Sequence, residues 1–138
     1  MPPEQSAALK VSESSYFRVS LPDIPEAVAQ LLGELCAAGT MPIYLAGVAE
    51  SSAQVALYAQ DRQLAQTALE HYGYPFRTPP VLLVEIQDSL GAFAEMVNRL
   101  GGAQVSIESC WCVGREGGQA TWALIAYPPK TALAALRR

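Results

Sequence analysis

The stretch Asp88-Ser89-Leu90-Gly91-Ala92-Phe93 has a counterpart 65 positions earlier in the chain, Asp23-Ile24-Pro25-Glu26-Ala27-Val28. Each stretch follows a run of residues that is typical of a β-strand, residues 16–21 in the first case and 81–86 in the second. Each also opens a helical pattern, because apolar residues then recur at i, i+3, i+4 and i+7. The chain therefore repeats one strand–helix unit.

The residues after the first stretch extend this unit. Residues 41–48 and 54–59 are predicted strands, Asp61 can cap a helix that Gly73 ends, and a short strand follows. The order β-α-β-β-α-β is that of a ferredoxin-like unit, with both helices on one face of an antiparallel sheet. We therefore expect an α+β protein whose first unit spans residues 14–78.

The second unit, expected over residues 79–138, repeats this order only in part. The predicted elements are strands at 81–87, 104–113 and 119–126, helices near 90–101 and 131–137, and a hairpin turn at 115–118. This unit is therefore truncated, with a short second helix and no fourth strand.

The missing strand would leave the first strand of the second unit as an exposed apolar edge, which proteins normally cover. Two segments could cover it: the N-terminal stretch Ala8-Leu9-Lys10-Val11 or a second chain. The other interpretation is that the N-terminal tail is disordered.

Composition excludes several classes of protein. The 138 residues carry a net charge of −4; 51% are hydrophobic and 16% are charged, which excludes a disordered or coiled-coil chain. The basic residues are scattered, which argues against a nucleic-acid-binding surface. The sequence has no apolar run of about 18 residues, so we predict no membrane-spanning helix. The opening residues lack a secretory signal pattern, so we expect a cytoplasmic protein.

The three cysteines, Cys36, Cys110 and Cys112, do not form a disulfide framework. Strand alternation puts Cys110 and Cys112 on one face, where a metal carrier or a ferredoxin-like enzyme could use them. Zinc needs about four ligands, and the chain adds only His71 and one further cysteine, so we expect structural cysteines. We find no catalytic motif, which predicts that the protein is not an enzyme.

The stretch 88–93, followed by Leu100 and then Val105-Ser106-Ile107, resembles the Asp-x-Pro-Gly-x-Leu…Leu…Ile-Asn-Ile signature of ACT domains. These are the small-molecule regulatory modules of amino-acid metabolism. Two such units without an attached enzyme are similar to tandem ACT-domain proteins. The resemblance covers residues from about 15 to the C-terminus, and it implies an amino-acid-binding regulatory or sensing module without a cofactor. It also implies a homodimer that acts on an enzyme of amino-acid metabolism in trans.

The resemblance further implies a ligand site in the second unit, where its strand–helix loop faces the second strand of a neighbouring domain or subunit. The site residues are Asp88, Ser89, Leu90, Gly91, Ala92 and Ser106. The first amides of a helix lack intrahelical partners and lie at the positive end of its dipole, so an amino-acid carboxylate can dock at Gly91. Asp88 can accept from the ligand ammonium group.

The chain departs from the ACT signature in both units. Leu90 stands where the signature has Pro, and Ser106 stands where it has Asn. In the first unit Glu26 replaces the Gly, and its carboxylate would repel that of a ligand. We therefore expect the ligand in the second unit only.

Simpler interpretations stay open beside the ligand site. Asp88 can be only a helix cap, as we also expect for Asp23, and Gly91 can serve only close helix packing. The whole module can also be ligand-free and serve oligomerisation or protein interaction. Three aromatic residues favour an interface, because their strands have one face that no helix is expected to cover: Trp111, Trp122 and Tyr127.

Overall fold

The computed structural model describes residues 9–48 and 54–137 of the chain. Over these residues the fold is α+β, with two antiparallel four-stranded sheets and four helices, as predicted. The elements in chain order are β1 Lys10–Ser15, β2 Phe17–Ser20, α1 Glu26–Ala37, β3 Pro42–Val48, β4 Gln54–Ala59, α2 Arg62–His71, β5 Phe76–Arg77, β6 Pro80–Gln87, α3 Leu90–Gly102, β7 Ser106–Glu116, β8 Gln119–Tyr127 and α4 Pro129–Leu136.

One compact unit runs from Ser15 to Pro79. Its sheet has the order β3-β4-β2-β5, in which β2 is antiparallel to both β4 and β5. Alternation along β2 sends Phe17 and Val19 into the core, where both side chains are fully buried. The apolar stripes of α1 and α2 cover this face of the sheet with Leu31, Leu35 and Leu69.

The two helices of this unit begin differently. Asp61 caps α2 as predicted, because its side chain accepts from the amide of Leu64 at 3.0 Å. The prediction that Asp23 caps α1 is wrong, since the residue before α1 is Pro25 and no side chain caps this helix. The start of the helix explains the difference: α1 begins at Glu26, so Asp23 lies two residues before the cap position, and the amide of Ala27 donates to the Ile24 carbonyl at 3.1 Å.

The other compact unit joins Pro80 and the residues after it to the described residues before Ser15. Its sheet has the order β1-β6-β8-β7, so the first strand of the chain lies beside β6. Leu9 and Val11 pack against the core of this unit. Of the alternatives for the open edge, the structure therefore supports cover by the N-terminal segment from Leu9 onward, and Ala8 lies outside the described residues.

The core of this unit lies between the sheet and the helices α3 and α4. Met96 and Leu100 of α3 are fully buried, and Phe93 and Val97 pack against them, as the helical spacing predicted. Trp122 differs from the prediction, because it faces α3 with its ring 4.7 Å from that of Phe93. The register of β8 sends this side chain to the helix-covered face together with Leu124.

The ends of α3 and β7 use left-handed backbone conformations. Gly117 and Gly118 have φ values of 61° and 78° and form the predicted hairpin turn between β7 and β8. Gln104 follows α3 with φ 61°, a conformation that favours glycine. The amide of Val105 then donates to the Leu100 carbonyl at 2.9 Å, which closes the end of the helix.

The cysteines lie in different surroundings. Cys36 is exposed, whereas Cys110 and Cys112 are half-buried, and Cys110 packs against the core. Within residues 9–48 and 54–137, no group of three or more His, Cys, Asp or Glu side chains is arranged to hold a metal ion. None of the described helices is long and apolar enough to cross a membrane.

Candidate functional site

Helix α3 begins at Leu90, and its cap is Ser89 rather than Asp88. The Ser89 hydroxyl accepts from the amide of Ala92 at 3.1 Å, and the Ser89 carbonyl accepts from the amide of Phe93. The amides of Leu90 and Gly91 precede these bonds and find no acceptor among the described residues. Within the described part of the chain they are therefore open to solvent or to an anion at the positive end of the helix.

Asp88 binds the β7–β8 hairpin. Its carboxylate oxygen Oδ2 accepts from Arg115 Nε at 3.1 Å, and its amide donates to the Gly118 carbonyl at 2.9 Å. The interpretation of Asp88 as the helix cap is therefore wrong, because both of its groups are engaged on the other side of the loop. Its carboxylate meets a cation of the protein itself.

A cleft of about 630 Å³ lies at the start of α3, and we call it the α3 cleft. It is bounded by the start of β1, the end of β6, the first turns of α3 and the β7–β8 hairpin. Three predicted site residues line it, Ser89, Gly91 and Ala92. The polar and charged residues that join them are Lys10, Glu85, Gln87, Glu95 and Gln119.

Both signs of charge are present in the α3 cleft. Lys10 Nζ lies 3.8 Å from Glu85 Oε1, a long and solvent-exposed pair that holds neither side chain firmly. Glu95 is bonded more closely, with its Oε2 at 3.0 Å from Arg99 Nη2. The cleft therefore offers the Glu95 carboxylate and the free amides of a helix start, with the pair of Lys10 and Glu85 at its margin.

Gly91 is not required by the protein's own packing. A β-carbon at this position would meet no atom within 4 Å, and its φ is not in the left-handed region. The interpretation that Gly91 serves close helix packing is therefore wrong. What the missing side chain provides is open space beside the free amides at the start of α3.

The remaining predicted residues lie away from the α3 cleft. Leu90 points into solvent and is 89% exposed. Ser106 begins β7 opposite Tyr127, whereas the loop follows β6 at the end of the sheet where Gln87 pairs with Gln119. Ser106 and the loop therefore lie at opposite ends of one sheet, and they do not meet within this unit.

Sequence reasoning missed the charged half of the α3 cleft. Lys10 lies in the segment that could cover the open edge of the sheet, but the family signature does not include it. Glu95 had a detectable signal, because it lies one turn after Ala92 on the same side of the helix. Glu85 alternates with the core residues Val84 and Ile86 along β6, so its side chain lies on the face of the sheet opposite the helices.

Comparison with known proteins gives likenesses in fold. No protein-family model matches the chain, and no curated protein matches it. A crystal structure of a protein from Bacteroides thetaiotaomicron matches with a TM-score of 0.70 at 14% identity, over 94% of this chain and 89% of that one.

Two further matches are regulatory subunits of aspartate kinase. The subunit from Thermus thermophilus, in its ligand-free form, has a TM-score of 0.55 at 17% identity over 93% of each chain. The subunit from Thermus flavus has a TM-score of 0.54 at 20% identity, over 94% of this chain and 92% of that one. At these identities the likeness concerns the fold alone: the chain has the ACT-like fold of these regulatory subunits.

Proposed function

We propose that this protein is a regulatory module that binds a small amino acid in the α3 cleft and has no catalytic activity of its own. The observation that carries the proposal is the arrangement of charge in the cleft. The free amides at the start of α3 attract a carboxylate and Glu95 attracts an ammonium group, while the Lys10 and Glu85 side chains belong to the other face of the sheet and lie at the margin of the cleft. A zwitterion carries both charges on adjacent groups, so an amino acid matches the cleft.

The fold supports a regulatory role. Two regulatory subunits of aspartate kinase share this fold, and each matches this chain over nearly its whole length. Their enzyme is named for an amino acid. We propose that this chain likewise acts on an enzyme of amino-acid metabolism in trans. The two ACT-like units would then form a tandem, of which only the second binds the amino acid.

We further propose that the protein is a homodimer. Strand β7 lies at the edge of its sheet and is 11 residues long, and Ile107 on it is 38% exposed. Long edge strands with apolar side chains favour pairing with another chain. Pairing at this edge would present Ser106 of one copy to the loop at Asp88 of the other, which a single unit does not achieve.

The experiment is a thermal-shift screen of the twenty amino acids, each repeated as its amide and as its N-acetyl derivative. A ligand at about 100 times its Kd adds roughly 2.7 kcal/mol of stability. We expect a shift for at least one amino acid, and its loss in both derivatives, each of which lacks one charge. Glu95→Gln should abolish the shift, whereas Lys130→Met, a change at an exposed lysine on α4, should leave it unchanged.

The second candidate is a ligand-free interaction module. The exposed side chains of Leu90 and Tyr127 favour it, because apolar groups at 89% and 64% exposure suit a protein interface. If no amino acid shifts the melting temperature of the protein, this candidate replaces the first.

A further inference from the structure

The unit of residues 15–79 has a cleft of its own, which we call the α1 cleft. It measures about 240 Å³ and lies between the turn before α1, α1 itself and the residues that follow α2. Its position corresponds to that of the α3 cleft. Gln30 lines it where Glu95 lines the other, and Ile24 lines it where Ser89 does, in each pair 65 positions apart.

The chemistry of the α1 cleft is different, because the one charged residue that lines it within the described part of the chain is a glutamate, Glu34. Glu34 Oε1 accepts from the Tyr74 hydroxyl, and Glu34 Oε2 accepts from the Gln30 amide at 3.3 Å. Both donors are neutral, so they orient the carboxylate without neutralising its charge. Among residues 9–48 and 54–137, no Lys, Arg or His forms an ion pair with Glu34.

Tyr74 is a stable part of this arrangement. Burial raises the pKa of Tyr74 to about 12, and the hydrogen bond and charge of Glu34 act in the same direction. The phenol therefore stays protonated and continues to donate at every physiological pH. Each carboxylate oxygen still has a further lone pair with which to accept a donor from a ligand.

The walls of the α1 cleft are apolar and aromatic. Ile24 is 52% exposed and Tyr72 is 43% exposed, although both are large side chains next to a cavity. The ring of Tyr72 is braced by His71, which contacts it edge-on with centroids 4.9 Å apart. Tyrosine faces attract cations, and exposed apolar walls favour the carbon chain of a ligand.

We propose that the α1 cleft binds a small organic cation, a primary ammonium group on a short apolar chain. The ammonium donates to Glu34, and the chain lies against Ile24 and Tyr72. An amino acid with a free carboxylate is excluded, because nothing in the cleft offers that group a cation and Glu34 repels it. The protein thus has two clefts in corresponding positions: the α3 cleft binds a ligand that has a carboxylate, and the α1 cleft excludes such a ligand.

The test uses the full chain and amide chemical shifts measured by NMR, with n-pentylammonium, n-pentanol and pentanoate as matched ligands. We expect saturable shifts at Gly73 and Tyr74 with the ammonium compound alone. Glu34→Gln should weaken this binding by about tenfold or more, since a charged hydrogen bond is lost. Glu95→Gln makes the same change in the α3 cleft and should not affect it.

Several results would overturn the proposal. Equal chemical-shift changes with n-pentanol would mean that the cleft does not recognise the charge of the ligand. Undiminished binding of n-pentylammonium by Glu34→Gln would mean the same. Tighter binding of Nα-acetyl-lysine methylamide than of the free amine would assign the cleft to a lysine of a partner protein instead. If Glu34→Gln fails to fold, Tyr72→Ser replaces it, because this exposed side chain is not needed for the core, and unchanged binding by that variant counts against the proposal.

Discussion

Arg115 Nε donates to Asp88 Oδ2 at 3.1 Å, and this contact joins the β7–β8 hairpin to the loop that opens α3. The two residues are far apart in sequence, but the register of β6 with β8 brings the hairpin to the end of β6. The backbone bond from Asp88 to Gly118 reinforces the same connection. One wall of the α3 cleft is therefore tied to the helix start that forms another.

The first prediction concerns the stability that this ion pair contributes. Both side chains are partly exposed, so solvent screens the pair, and Arg115→Gln should lower the free energy of unfolding by less than about 1 kcal/mol. Urea denaturation measures the change, and 1 M salt should reduce it further. A loss well above this value would show that the pair holds the loop as a structural unit.

The second prediction separates stability from binding at Gly91. Gly91→Ala should raise the free energy of unfolding by up to about 1 kcal/mol, because the helix gains a better former and the new methyl meets no atom. The same methyl reduces the space beside the free amides, so amino-acid affinity should fall. Gly101→Ala is the matched control near the other end of α3, where space is also open, and it should stabilise without any effect on binding.

The third prediction concerns Gln104, which is not a glycine although its backbone is left-handed at φ 61°. Gln104→Gly should stabilise the protein by about 1 kcal/mol, since glycine adopts this conformation without a steric cost. Gly39 occupies the corresponding place after α1 with φ 92°, and Gly39→Ala should destabilise by a similar amount. Thermal unfolding of both variants checks the opposite signs.

The fourth prediction concerns the cysteines and pH. Burial, with a smaller effect of Cys112, raises the pKa of Cys110 from 9.0 to about 11. The thiolate is the reactive form, so at neutral pH a disulfide reagent should modify exposed Cys36 first and Cys110 last. Variants that each keep one cysteine give the three rates, and fast modification of Cys110 would contradict its burial.

The same pKa gives a sign for stability. The raised value favours the folded protein while the thiol is neutral in both states, below about pH 9, and this contribution is lost as the pH rises toward 11. Between pH 9 and pH 11, the free energy of unfolding should therefore fall less for Cys110→Ser than for the unchanged protein, as measured by urea denaturation.

The fifth prediction concerns the strand β1. Val11 packs against the core of the second unit, so Val11→Asp should destabilise the protein by about 2 kcal/mol or more through an unpaired buried charge. Ser12 is its exposed neighbour on the other side of the strand, and Ser12→Asp should change stability little. Equal effects of the two variants would mean that β1 does not contribute to this core.

Patterns within single elements could be predicted from the sequence. The spacing of Met96 and Leu100 gave the buried stripe of α3, and Asp61 gave the start of α2, because both depend on neighbours along one helix. The prediction that Asp23 caps α1 was wrong because the helix begins only after Pro25, where a turn closed by the Ile24 carbonyl precedes it. The prediction that Trp122 lies on the uncovered face of the sheet was wrong because the face of a side chain depends on strand register, which local alternation does not determine.

The candidate site was predictable only where it is local. Ser89, Gly91 and Ala92 lie within four residues of the chain, and one family signature covers them together. Lys10 and Glu85 meet because β1 lies beside β6, a pairing that connects distant parts of the chain. Ser106 was matched from a family signature, and its place at the far end of the sheet follows from pairing with Tyr127.

The position of β1 also affects the order in which the protein can be completed during synthesis. The unit of residues 15–79 is one continuous segment, so it can fold as soon as it leaves the ribosome. The other unit needs a strand made before that segment and a sheet made after it. Residues 10–14 must therefore wait for the residues from Pro80 onward, and the C-terminal segment expressed alone would lack an edge strand of its sheet.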